Sequence, residues 1–453
     1  MRLKLLSLSV LAMGGASSLL SGHAQASGYN FGSQSVSAQG TAHANAAEAA
    51  DPTTIYYNPA GMSLLDGDQI SVGVTGVFPS SSFTNNGSVN ALGHATTGTD
   101  GGRYAPSAVV APTLYLSHQV NDTVNIGLGI FVPYGAKLNY GTNWVGRYAL
   151  ESINLQTLNF NPSISFKLDE RQSIGFGISA QYMKADLQKA VDTSTLLYLA
   201  GLNNTDAALP DGQAKFSADG WGYGFNLGYM FKLDDHTRFG LAYRSEIHQT
   251  LKGNATWEFS GLSGSQQDGV NSDFHNSSAQ TKVVTPQSAS ASFYHDLTDK
   301  LAVMGDATWT GHSSMQNIDI QFTGTSEGDL RINQNWKNSW LFALGANYKY
   351  NDSLLLRTGV AYDQTPVPND QLRDPALPDA DRYWLSLGAN YKFSKQSSVD
   401  LSYSYVFFKT VNTDYADVCS GQQSCTYTGN GETTKGSYKT NLQLVGVQYN
   451  YRF

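Results

Sequence analysis

From Gly220 to Leu233 the chain reads GWGYGFNLGYMFKL, with Trp221, Tyr223, Phe225, Leu227, Tyr229, Phe231 and Leu233 at every second position. Alternation of this kind predicts a β-strand with one apolar face. The other face carries Gly222, Gly224 and Gly228 where a water-facing strand would carry Lys, Glu or Thr, so the apolar face is read as the outer one. Three more stretches repeat the pattern. Ile174, Phe176, Ile178 and Tyr182 oppose Gly175, Gly177, Ser179 and Gln181; Tyr383, Leu385, Leu387 and Tyr391 oppose Ser386, Gly388 and Asn390; Val445, Val447, Tyr449, Tyr451 and Phe453 oppose Gln448, Asn450 and Arg452.

Fourteen such segments follow residue 68, near 69–78, 107–119, 123–134, 150–168, 172–189, 218–233, 237–257, 277–297, 300–322, 331–350, 353–365, 380–394, 397–412 and 435–453. Short polar turns, such as Asn121-Asp122 and Thr298-Asp299, alternate with long Gly/Ser/Asn/Thr-rich connections near 79–106, 135–149, 190–217, 258–276, 323–330, 366–379 and 413–434. Short turns in the periplasm and long loops outside are the pattern of an up-and-down barrel. The expected fold is therefore all-β, a 14-stranded antiparallel transmembrane β-barrel over 69–453, set in the outer membrane of a Gram-negative bacterium. Lipid supplies no partner for an open sheet edge, so the sheet must close.

Composition narrows this reading. No run of about 18 apolar residues follows the N-terminus, which excludes a helical membrane protein. Residues 1–26 read as a secretory signal, with Arg2 and Lys4 ahead of an apolar core and Ala24-Gln25-Ala26 as the cleavage site. Its removal takes away two basic residues and no acid, leaving the mature chain more acidic than the -8 of the whole. A chain so acidic is a poor binder of nucleic acid. Cys419 and Cys425, the only cysteines, stand close together in a polar stretch of an exported protein and read as a loop disulfide rather than a metal pair or a nucleophile.

Residues 27–68 differ from the rest. They carry an alanine run, Ala42 to Ala50, and then DPTTIYYNPAGMSLLDG. The segment is read as adding no span to the fourteen, leaving a periplasmic extension or a plug in the lumen. Ile55, Tyr56, Tyr57, Met62, Leu64 and Leu65 are too apolar for a free tail and favour the plug.

The alanine-rich segment with Asp51 and YYNPAGMSLL resembles the hatch of the FadL family of outer-membrane transporters of long-chain fatty acids and other hydrophobic compounds. HTRFGLAYRSEIHQTLKGN and AYDQTPVPNDQLRDPALPDADRYWLSLG resemble later strands of that family, and the aromatic C-terminus at Phe453 suits such barrels. The resemblance implies diffusion rather than turnover: capture in an apolar extracellular groove, passage to a lumen pocket, hatch movement, and lateral exit through a kinked third strand. It implies no cofactor and no metal. The implied partners are a hydrophobic small molecule and outer-membrane lipid, with a monomeric barrel.

Candidate residues follow from that route. Asn58, Pro59 and Ala60 match the hatch motif. Pro133, Tyr134 and Gly135 are the kink candidates, since proline removes a ladder donor and glycine tolerates unusual dihedrals. An anionic head group in an apolar pocket needs a cation. Lys189 shares the inward parity of Gly175, Gly177, Ser179 and Gln181 and matches one head-group position of the family, while Arg331 lies one residue out of register with the other. Leu196, Leu197, Leu199 and Leu202 are candidates for the outer groove. Arg244 and Glu246 are expected as a structural pair on the inner face of the seventh strand.

Long-chain fatty acids are the favoured cargo, with monoaromatic or other hydrocarbons the alternative. A lipolytic outer-membrane enzyme is a distant one, for the chain has no His-Glu-x-x-His, no Gly-x-Ser-x-Gly and no clustered carboxylates. A general porin is a further rival.

Overall fold

The computed structural model describes residues 29–203, 208–323, 329–416 and 431–453. Among them fourteen antiparallel strands close into one barrel, six of them interrupted along their length. In chain order these are β1 Gln69–Asn85, β2 Val109–Gln119, β3 Val124–Phe131 with Gly135–Asn139, β4 Ser152–Lys167 and β5 Gln172–Val191. Next come β6 Gly212–Lys232, β7 Thr237–Arg244 with Ile247–Glu258, β8 Ser277–Thr285 with Ser288–Asp296, and β9 Leu301–Thr310 with Asn317–Thr323. The last five are β10 Leu330–Asn333 with Ser339–Lys349, β11 Leu354–Asp363, β12 Arg382–Lys392, β13 Ser397–Phe408 with Val411–Ala416, and β14 Thr433–Arg452. Closure runs from Gln69↔Arg452 to Asn85↔Gly436, so β1 is paired with β14 over its whole length.

Large apolar side chains cover the outside. Trp221, Tyr223, Phe225, Leu227, Leu241, Leu344, Leu387 and Val445 are all exposed, as a lipid-facing wall requires. Some strands run further than the alternation predicts. β1 continues through Pro79 to Asn85 because Ser437 to Leu442 of β14 go on pairing with it, and its polar residues there stand above the apolar band.

The interruptions shift facing. One extra residue in β7 between Arg244 and Ile247 turns Ile247, Gln249 and Leu251 inward and Glu246 away. Glu246 bonds His248 (2.9 Å) among exposed residues, whereas Arg244 points into the lumen and donates to the Tyr56 carbonyl (3.0 Å). The expected Arg244–Glu246 pair does not form, because a single bulged residue reverses every side chain beyond it.

The chain from Tyr29 to Leu65 fills the lumen. Helix Val36–Gly40 is buried throughout, capped by the Ser35 hydroxyl, which accepts from Ala38 N. Small residues here meet glycines on the wall. A Cβ on Gly359 would fall 2.2 Å from the Thr41 carbonyl carbon, and one on Gly345 would fall 3.2 Å from the Ala44 methyl. Gly228 and Gly175 leave the space taken by Asn58 and Ala60, since their Cβ atoms would lie 2.2 Å from Asn58 Oδ1 and 2.3 Å from Ala60 N. Gly222 and Gly224 face Gln249 and Ile247 of β7, so their bare side makes room for the neighbouring strand and not for cargo.

Charge holds the segment too. Arg357 on β11 pairs with Glu48 (2.8 Å) and lies 3.6 Å from Asp400, all three side chains at most 7% exposed. Asn347 adds a bond to Glu48 (2.7 Å), and Arg238 donates to the Ala47 and Glu48 carbonyls (3.0 Å each).

Candidate functional site

Two apolar chambers lie one beneath the other at the long-loop end. The outer is walled by Leu150, Leu187, Phe216, Trp257, Ile320 and Phe322. The inner shares Leu187, Phe216, Ile320 and Ile332 with it and ends on Tyr29, Ile153, Val283 and Met315. At its base the Tyr29 ring packs on Tyr134 (5.1 Å) and Trp336 (6.0 Å), and its hydroxyl donates to the Val284 carbonyl (2.8 Å). Each CH2 moved from water into such walls gains about 0.8 kcal/mol.

Lys189 lies on the inner face of β5 and lines the outer chamber. Asp374 borders both chambers, its carboxylate accepting from Gln334 Nε2 (3.2 Å) and Ala376 N (2.8 Å). Arg331 is placed differently from the expectation. Leu330 and Ile332 on either side of it line the chamber, while Arg331 forms a two-pronged pair with Asp319 (2.7 and 3.0 Å) on the opposite face of the strand. The one-residue offset seen in the sequence is a real reversal of facing.

The loop leucines divide between environments. In helix Thr193–Leu199, capped by Asp192, Leu197 is buried and Leu196 partly so, whereas Leu199 is 67% exposed and Leu202, just beyond, 39%. Helix Gly264–Asp273 of the next long loop stands beside them, tied by Gln266 to the Leu202 carbonyl (3.4 Å). Leu199 and Leu202 are thus the two that present apolar surface outward. Cys419 and Cys425 lie outside the described residues.

Below the chambers β3 breaks at Val132–Tyr134. β3 follows β2 only as far as Ile130↔Leu114, so among the described residues Val109–Thr113 of β2 have no strand partner on that side. It returns to β4 at Gly135↔Gln156 with one residue more than its partner. The backbone groups withdrawn from the ladder are met from inside: Phe31 N donates to the Pro133 carbonyl and Gly135 N to the Tyr29 carbonyl (2.8 Å each). Gln34 completes the seal, its Nε2 donating to the Val132 carbonyl (2.6 Å) and its Oε1 accepting from Val132 N (3.2 Å). Pro133 and Gly135 therefore sit at a wall break stopped by the lumen segment. Tyr29 and Gln34 escaped the sequence reading because neither carries a motif.

Asn58 joins that segment to the wall. Its Oδ1 accepts from Ala60 N (3.1 Å), capping the turn Pro59–Leu64, and its Nδ2 donates to the carbonyls of Tyr229 (3.0 Å) and Leu241 (3.4 Å). Pro59 and Ala60 press on Gly228 and Gly175.

A third cavity lies nearer the short turns, with Asn30, His43, Tyr57, Arg244, Asp306 and Thr308 in its lining. His43 sits edge-on to Trp384 (4.9 Å), and burial lowers its pKa from 6.5 to about 4. The unfolded segment then binds a proton that the packed one refuses, so packing weakens as pH falls from 6.5 toward 4, by about 3 kcal/mol over the window. Hydrogen exchange over residues 36–60, corrected for intrinsic rates, should rise between about pH 7.5 and about pH 5. His43→Asn, which tolerates the φ of 72° there, should flatten the rise; parallel slopes would refute the link.

A family model described as outer membrane protein transport protein (OMPP1/FadL/TodX) matches residues 17–453. An outer membrane protein of Neisseria meningitidis is 35% identical, with 98% of each chain covered. The long-chain fatty acid transport protein of Shigella flexneri is 28% identical over 88% of this chain and 92% of that one. The crystal structure of a Pseudomonas aeruginosa FadL homologue superposes with a TM-score of 0.84 at 26% identity, covering 94% of this chain and all of that one.

Proposed function

We propose, from the premise that this chain belongs to the OMPP1/FadL/TodX family of outer-membrane transporters of hydrophobic compounds, that its cargo is long-chain fatty acid. The observation that carries this reading is the path itself: two adjoining apolar chambers, a cation on the wall of the outer one, and an edge of β2 left open by β3 below. A fatty acid needs each of these. Its chain is stabilised only where water is excluded, and its carboxylate only beside a cation. Leu199 and Leu202 form the landing surface, the chambers hold the chain, and residues 29–65 act as a hatch whose displacement unseals Val132–Tyr134. Exit is lateral, into lipid.

Neutral hydrocarbons are the second reading, favoured by the inner chamber, whose wall is almost wholly apolar. Lys189→Ala separates the two. Uptake of a long-chain acid is expected to fall about tenfold while uptake of a neutral hydrocarbon stays near wild type, the loss of one charge-assisted contact. Equal loss for both, or none for either, would remove Lys189 as head-group partner.

A further inference from the structure

We propose that Arg244 is a second anion station in the lumen, receiving the carboxylate of an amphiphile beside the β3 break after it leaves the apolar chambers. The proposal rests on the transport reading above.

Arg244 borders two spaces at once. One is the small cavity beneath the break, lined by Phe131, Pro133, Tyr134 and Gln181; the other is the cavity with Tyr57 and Thr308. Its guanidinium donates to Ser179 Oγ (3.2 Å) and the Tyr56 carbonyl (3.0 Å), both neutral, and stands over the rings of Tyr56 (5.0 Å) and Phe131 (5.6 Å). No carboxylate pairs with it among the described residues. Asp306, on the wall of the same cavity, bonds Thr308 (2.6 Å) instead.

The other enclosed guanidiniums are satisfied differently. Arg357 has Glu48 and Asp400, and Arg382 has Asp363 and Asp379. A half-buried charge held only by neutral acceptors is incompletely satisfied, and an arriving anion completes it. Five N–H donors with two engaged leave a fork for a carboxylate. Phe131 and Pro133 mark where β3 parts from β2, so a ligand held at Arg244 lays its tail along the gap. The tail then enters lipid first and the head group leaves last.

The test measures equilibrium binding to the full-length barrel of a long-chain fatty acid and of the alcohol of equal chain length, in a Lys189→Ala background so that the outer cation is silent. Lys189→Ala alone should still prefer the acid, by about tenfold. Adding Arg244→Gln should abolish that preference with alcohol affinity unchanged, and Arg244→Lys, which keeps the charge and the bond to Tyr56, should retain much of it. No preference in Lys189→Ala, or a preference that survives Arg244→Gln, would overturn the assignment while leaving transport intact. Failure of the wild-type barrel to bind either compound would instead defeat the transport reading and this inference with it.

Discussion

A leucine at position 228 is expected to turn a closed barrel into a conducting one. Gly228 lies on the inner face of β6, where a Cβ would stand 2.2 Å from Asn58 Oδ1 and 2.8 Å from Ala60 N. Neither approach is tolerable, and β6 cannot retreat, being hydrogen-bonded to β5 and β7 on its two sides. The lumen segment must yield. Asn58 would then lose its bonds to the Tyr229 and Leu241 carbonyls, the seam that fixes the Pro59–Leu64 turn to the wall. Overpacking of this kind costs about 3 kcal/mol, enough to raise the displaced population about a hundredfold. In planar bilayers the wild type should give negligible current and Gly228→Leu a steady ohmic pore. A correctly folded Gly228→Leu barrel that stays silent would show that Asn58 does not hold the lumen closed.

Loss of Arg357 should be the most damaging single change to the segment's anchorage. Its removal as Arg357→Met strands two buried carboxylates, Glu48 and Asp400, where Glu48→Gln leaves Arg357 still facing Asp400 at 3.6 Å. Breaking a buried pair from one side costs about 3–5 kcal/mol. Arg357→Met should therefore lower the midpoint of thermal unfolding and speed hydrogen exchange over residues 36–60 well beyond Glu48→Gln. The double variant should recover part of the loss, since one stranded charge is gone. Equal effects from the two single variants would mean that Asp400 takes no part.

The barrel was legible because its physics is written at period two. An outer face that must meet lipid and an inner face free to be glycine or polar leave the same mark in each strand, and the alternating turn lengths fix the direction of travel. What escaped was whatever depends on one residue of register. Glu246 and Arg331 lie beyond or beside breaks in the ladder, and nothing in local composition announces a bulge that reverses facing. Strand length escaped for a related reason. Pro79 and the serines after it read as loop, yet β14 extends opposite them, and a partner distant in sequence decides where a strand stops. The anchoring residues were visible only as oddities: Glu48 is the one acid in the alanine run, and its meaning needed Arg357 on the facing wall.

The alanine-against-glycine contact has a mechanical consequence. Thr41 and Ala44 lie on Gly345 and Gly359, and Gly40 on Gly388 with the Arg357 side chain beside it. Small residues on both sides let the two backbones meet closely there. Fixation is spread along the segment, from Gln34 at Val132 through Val36 and Asp51 at Gln448 and Glu48 at Arg357 to Asn58 at Tyr229 and Leu241. A part held at so many points is expected to give way as a unit, several bonds parting together.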